Sequence, residues 1–194
     1  PWLAYAKQNR VFVPGEPVSV QVLARCISTP PVDRVIAMDL HASNIASFFD
    51  VPIHDISCRS LFITAIRSEV DEHCVVVAPD KGGIERSSAF ARELSLPMVT
   101  IDKTRDRITG AVAIHSVSED VSGRRCIVFD DMIATGETVI DLAHFLKERG
   151  ASSVTICATH GLFTRGVDVF SGAPIDHLYI TDTVPVPDRI PIPT

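Results

Sequence analysis

Two adjacent carboxylates, Asp130 and Asp131, end the apolar run Cys126 to Phe129 and are followed by the small, hydroxyl-bearing segment Ala134-Thr135-Gly136-Glu137-Thr138. This order of residue types describes an anion cradle: a buried strand, a turn, then a helix opening near Glu137. Backbone N–H groups at a helix start, with the Thr135 and Thr138 hydroxyls, can hold a phosphate, and Gly136 lets the backbone approach closely. Acids placed directly before it would repel that phosphate. They make sense as acceptors for vicinal sugar hydroxyls beside it, or as indirect magnesium partners. As bare sequence the same residues also suit a capped helix after a tight turn.

Four other segments carry chemistry. In Asp39-Leu40-His41 the imidazole can ligate a cation or donate to phosphate. In Pro79-Asp80-Lys81-Gly82-Gly83 the double glycine frees successive N–H groups to face oxygens. Lys103 and Arg105, two apart in Asp102-Lys103-Thr104-Arg105, would face one side of a strand, or close together on the same phosphoryl oxygens from an extended loop. Near the start, Lys7, Gln8 and Arg10 form a basic, polar group ahead of Pro14-Gly15. Each has a plainer reading in isolation: a structural histidine, an ordinary turn, a solvated basic pair or loop.

The elements that must position these residues are legible as short apolar runs at Val35 to Met38, Val75 to Ala78, Met98 to Ile101, Cys126 to Phe129, Val154 to Ala158 and Leu178 to Ile180. Hydrophobicity in them is continuous rather than alternating, which predicts strands buried on both faces of a parallel sheet. Val139, Leu142, Ala143 and Leu146 follow helical spacing and stop at Gly150 after Lys147 and Arg149. The same spacing recurs in Ile84, Ser88, Ala91 and Leu94, and more weakly from Val18 to Ile27. Strand alternating with helix predicts a doubly wound α/β fold, in which ligands sit beyond the carboxyl ends of the strands. Asp39 to His41, Asp80 to Gly83, Asp102 to Arg105 and Asp130-Asp131 all fall at such ends. A division near Cys58 to Leu61 predicts two domains, residues 1–58 and 59–194.

The thirteen residues from Cys126 to Thr138 resemble the phosphoribosyl pyrophosphate loop of type I phosphoribosyltransferases and of the ribose-phosphate diphosphokinases that make their substrate. By that resemblance Asp130 and Asp131 grip the ribose 2- and 3-hydroxyls, and Ala134 to Thr138 grip the 5-phosphate. The other segments resemble the diphosphokinase branch. Asp39 to Phe49 is similar to the stretch that brings a histidine, here His41, to the metal and ATP phosphates, with Asn44 where Gln is usual. Tyr5 to Pro17 resembles the ATP-contacting stretch, implying contacts from Lys7, Gln8 and Arg10. Lys7 and Asn9 depart from the Arg and Asp usual there, and Lys lacks the planar fork of Arg. Asp80, Lys81, Gly82 and Gly83 match the loop that binds diphosphate and contributes a metal-linked Asp. Asp102 to Arg105, with the polar stretch through Asp120, resembles the catalytic loop, making Lys103 and Arg105 the implied catalytic pair.

The resemblance implies a parallel-sheet, type I phosphoribosyltransferase-like fold in tandem domains, the first incomplete. It implies magnesium-dependent transfer of diphosphate from ATP to ribose 5-phosphate, in a homo-oligomer whose neighbouring subunit lends an adenine-binding loop. A type I phosphoribosyltransferase, and a catalytically inactive regulatory homologue or fragment of the synthetase, are the alternatives. The chain begins Pro-Trp-Leu and ends Pro-Ile-Pro-Thr, and is expected to be a piece of something longer.

Composition narrows the remaining classes. With 194 residues, 46% of them hydrophobic, the chain can bury a sizeable core. A net charge of -6 argues against binding nucleic acid in bulk, which relies on clustered Lys and Arg. No apolar run approaches the ~18 residues of a membrane span, so a soluble cytoplasmic protein is expected. Five scattered cysteines without a CxxC pair predict reduced core thiols.

Overall fold

The computed structural model describes residues 2–29, 31–105 and 112–192. The chain forms two compact units, Pro1–Cys58 and Arg59–Thr194.

In the first unit helix α1 (Ser19–Ser28) precedes strand β1 (Val35–Met38), a 3-10 turn (Ser43–Phe48) and strand β2 (Ile53–Ile56). β1 and β2 pair in parallel, from Val35 opposite Ile53 to Met38 opposite Ile56. Val20, Ala24, Ala37 and Ile45 form the interior. Asp39 follows β1 with a φ of +42°, a backbone conformation rare for a residue with a side chain. Its buried carboxylate accounts for this: it accepts from the Ser57 hydroxyl at 3.0 Å and the Cys58 N–H at 2.9 Å, tying the end of β1 to the segment after β2.

The second unit contains helix α2 (Arg59–Ile66), strand β3 (Cys74–Ala78), helix α3 (Ile84–Leu94), strands β4 (Met98–Arg105), β5 (Val112–Val117) and β6 (Arg125–Ile133), helix α4 (Glu137–Glu148), and strands β7 (Ser153–Gly161) and β8 (His177–Thr181). Its six-stranded sheet has the order β5-β4-β3-β6-β7-β8. Every neighbouring pair is parallel except β4 with β5.

Strand periodicity explains why the central runs are apolar throughout. Val75, Val77, Cys126 and Val128 pack with Val139, Leu142, Ala143 and Leu146 of α4. Phe129 instead meets Phe90 of α3 with ring centroids 4.8 Å apart and Phe62 of α2 at 5.6 Å. Helices therefore cover both faces, as the alternation of elements predicts.

Two strands outrun their apolar cores. β6 continues through Asp130 and Asp131 to Ile133 because β7 continues beside it, with Met132 opposite His160. β4 continues through Asp102 to Arg105 because β5 pairs with it antiparallel, with a register shift at Asp102 and Lys103. Lys103 and Arg105 thus lie on a strand, where a loop was the alternative. The remainder of that segment, 106–111, lies outside the described residues. Cys26 is exposed while the other four cysteines are buried, so core thiols are the rule with one exception. Among the described residues no helix is long and apolar enough to cross a membrane.

Candidate functional site

β3, β4 and β6 are neighbours in the sheet, so the residues at their carboxyl ends meet. After β3, Asp80 caps the short turn Lys81–Gly83: its Oδ1 accepts the Gly83 N–H at 2.9 Å. The other carboxylate oxygen, Oδ2, lies 3.2 Å from Lys103 Nζ on β4. Burial alone would raise the Asp80 carboxyl, but the Lys103 ammonium and the Gly83 and Gly82 amides outweigh it and hold the group below its ordinary value. Lys81 lies 3.9 Å from Asp102 in an exposed pair. The turn is tight: a Cβ on Gly82 would come 3.3 Å from Asp80 Oδ1, and one on Gly83 the same distance from the Pro79 ring. The Gly83 amide expected to face an outside anion is thus turned onto the protein's own carboxylate.

On β6, Asp131 is 2% exposed and Asp130 retains 22% of its side-chain surface. Both meet Arg86 from the first turn of α3, whose Nη1 donates to Asp130 Oδ1 at 3.0 Å and Asp131 Oδ1 at 2.7 Å. The Asp131 N–H also donates to Asp130 Oδ1, at 2.9 Å. Burial, and next the Asp131 carboxylate, push the Asp130 carboxyl up to about 7 against the pull of Arg86.

The turn after β6 leads directly into α4. Gly136 adopts φ +95°, and α4 starts at Glu137. The glycine is needed twice over, because a Cβ there would lie 2.8 Å from two ring atoms of the fully buried Phe170. The Glu137 N–H points at Thr135 Oγ1, 3.4 Å away, and the Glu137 carboxylate pairs with Arg165. Thr164 donates its N–H to the Ala134 carbonyl at 2.9 Å, so the loop after β7 braces the turn. Thr138 stands half-buried on the opening turn of α4.

Arg86 and Arg165 are the site-lining cations that sequence reasoning missed. Arg86 carries no local signal separating it from Glu85, Arg92 or Glu93 on the same helix. Arg165 sits in a loop with no apolar periodicity around it. Among the described residues no group of three or more His, Cys, Asp or Glu side chains is arranged to hold a metal ion.

In the first unit, Lys7, Gln8 and Arg10 are all exposed. A turn closed by the Gln8 N–H on the Tyr5 carbonyl at 2.8 Å presents them, and the Arg10 guanidinium lies 5.0 Å from the Phe12 ring centre. Two of the three departures from the synthetase pattern, Asn9 and Asn44, are partners. Asn9 Nδ2 donates to Asn44 Oδ1 at 2.9 Å, and Asn44 Nδ2 returns a bond to the Asn9 carbonyl at 3.0 Å. His41 lies in the half-buried turn between β1 and the 3-10 turn.

Residues 46–168 match the family described as the Phosphoribosyl transferase domain, a span that includes Asp80, Asp130 and the turn to Thr138. The chain is 37% identical over 96% of its length to the ribose-phosphate pyrophosphokinase of Chromobacterium violaceum, and 39% identical over 98% to that of Pasteurella multocida. It spans 57% and 61% of the length of these two relatives. The crystal structure of the phosphoribosylpyrophosphate synthetase from Mycobacterium smegmatis superposes with a TM-score of 0.89 at 32% identity, covering 100% of this chain and 63% of that one. A purine phosphoribosyltransferase from Pyrococcus horikoshii shares the fold at 16% identity, with a TM-score of 0.51 over 81% of this chain and 100% of its own. The chain belongs to the phosphoribosyl transferase domain family, and along nearly its whole length it resembles the ribose-phosphate pyrophosphokinases.

Proposed function

We propose that the chain carries the ribose 5-phosphate and diphosphate-transfer site of a ribose-phosphate diphosphokinase, which makes phosphoribosyl pyrophosphate and AMP from ATP and ribose 5-phosphate. One observation carries the reading: the Asp130-Asp131 pair stands before a helix-capped turn on β6, while Asp80 and Lys103 stand together at the ends of β3 and β4. On this reading a sugar-phosphate site and a second anion site would lie side by side at the carboxyl ends of neighbouring strands. The anomeric hydroxyl would attack the β-phosphorus in line, losing its proton as the bond to the bridging α,β-oxygen breaks and AMP departs.

In such a reaction the protein does little covalent work and contributes alignment and charge. Asp130 and Asp131 would orient the ribose hydroxyls, and residues 134 to 138 the 5-phosphate. Lys103 and Arg105 would offset the charge on the transferred group, and Lys7, Gln8, Arg10 and His41 would bind ATP. Magnesium is the ion this reading implies. Asp80 fits it as an oxygen donor with 42% of its side chain exposed, because magnesium in phosphate-transfer sites takes one or two carboxylates and leaves its other positions to substrate and water. Bound there, the ion would neutralise phosphate charge.

Replacing Lys103 by Ala should cut turnover strongly while leaving ribose 5-phosphate binding nearly intact. Equal losses in both would sink the assignment. The type I phosphoribosyltransferase reading rests on the shared family match; a free base and phosphoribosyl pyrophosphate would then give nucleotide and diphosphate.

A further inference from the structure

Two carboxylates on consecutive residues of a strand ordinarily leave it on opposite faces. Asp130 and Asp131 lie within strand β6, yet the Oδ1 atoms of both are within 3.0 Å of a single nitrogen, Nη1 of Arg86. Asp130 is further drawn back along the chain by the Asp131 N–H. Arg86 is itself held in place, with 19% of its side chain exposed, on the helix whose Phe90 stacks on Phe129, the residue before Asp130. We infer that Arg86 is the positioning residue of the sugar site: it gathers Asp130 and Asp131 to one point, so that they act together as acceptors for a vicinal diol.

This inference rests on the ribose reading of the Asp130-Asp131 pair. A diol is neutral, so recognising it takes acceptor oxygens in a fixed arrangement, with no net charge demanded of the ligand. Two carboxylates side by side repel when both are charged, and a shared guanidinium is the counter-charge that lets them stay close. A lysine could supply the charge but not the planar fork. Arg86 acts through the acids and makes no contact with the sugar.

The test is calorimetric titration of the 194-residue chain with ribose 5-phosphate and with 2-deoxyribose 5-phosphate, which shares the phosphate and lacks one of the two hydroxyls. The native chain should prefer the ribose form by roughly tenfold or more, the range of a lost hydrogen bond to a charged group. In Arg86→Gln that preference should collapse to within about twofold, while the affinity for the deoxy sugar changes little. Arg86→Lys should fall between. Equal loss for both sugars would mean that Arg86 serves the phosphate, and an unchanged preference that it only ties α3 to β6; either overturns the inference and leaves the ribose reading standing. A native chain that binds both sugars equally overturns the ribose reading and the inference with it. Circular dichroism of each variant checks folding, and if Arg86→Gln does not fold, an undiminished preference in Arg86→Lys is the overturning result.

Discussion

Lys103 Nζ lies 3.2 Å from Asp80 Oδ2, so the cation assigned to catalysis and the carboxylate assigned to the metal are partners across β4 and β3. The carboxylate has a second duty, since its Oδ1 caps the Lys81–Gly83 turn. The two duties separate by mutation. Asp80→Ala removes both, and loss of a cap of this kind costs about 0.5–2 kcal/mol. Lys103→Ala removes only a partly solvated pair, worth about 1 kcal/mol or less. Urea denaturation should therefore rank Asp80→Ala as the more destabilised; the reverse order would show that the cap contributes nothing.

Asp130 supplies a pH signature. Its carboxyl is pushed up to about 7, whereas an unfolded Asp titrates near ~3.9. Between those values the folded protein holds a proton that the unfolded chain has released. Stability from this group is thus present at low pH and declines as pH rises through the window. Asp130→Asn cannot lose a proton, so its melting temperature should fall less than that of the native chain between pH 5 and pH 8. Parallel pH profiles for the two proteins would contradict the raised value.

Much of this fold is legible in the sequence because burial on both faces leaves continuous apolar runs. Val75 to Ala78 and Cys126 to Phe129 mark β3 and β6, and the helical spacing from Val139 to Leu146 marks α4. Polar residues hide the strand ends. Asp130 to Ile133 stays in β6 because β7 pairs with it, and Asp102 to Arg105 stays in β4 because of β5, neither of which leaves a local pattern. The acids and the turn of the candidate site stand out by residue type alone. Arg86 was not, since its importance lies in contacts 44 and 45 residues away in sequence. The Asn9–Asn44 pair likewise looks like two separate departures until the chain is folded.

Phe129 links the core to the site. It is fully buried between Phe90 and Phe62 and immediately precedes Asp130. Phe129→Ala should cost about 3–5 kcal/mol, and a shape-tolerant Phe129→Leu considerably less. If the ring also sets the position of Asp130, ribose 5-phosphate affinity should fall in the Ala variant and largely survive in the Leu variant. Titration of both variants under conditions where each remains folded would check this, and equal affinity in the two would detach the core from the site.

Gly136 tests whether the turn is built to one shape. At φ +95° any side chain is strained, and here the added Cβ would also lie 2.8 Å from the Phe170 ring. Phe170 cannot yield cheaply, because it is fully buried and meets Phe163 edge-on at 5.6 Å. Gly136→Ala combines backbone strain of about 1–3 kcal/mol with overpacking of a similar size. A loss of about 2 kcal/mol or more is therefore expected in denaturant unfolding. The backbone must shift to relieve the clash, and the shift begins at the residue before α4, whose N–H groups would hold the phosphate. Affinity for inorganic phosphate should fall along with stability. A variant that loses less than about 0.5 kcal/mol, the range of an ordinary surface substitution, would mean that the turn tolerates another path and that its close fit to Phe170 is incidental.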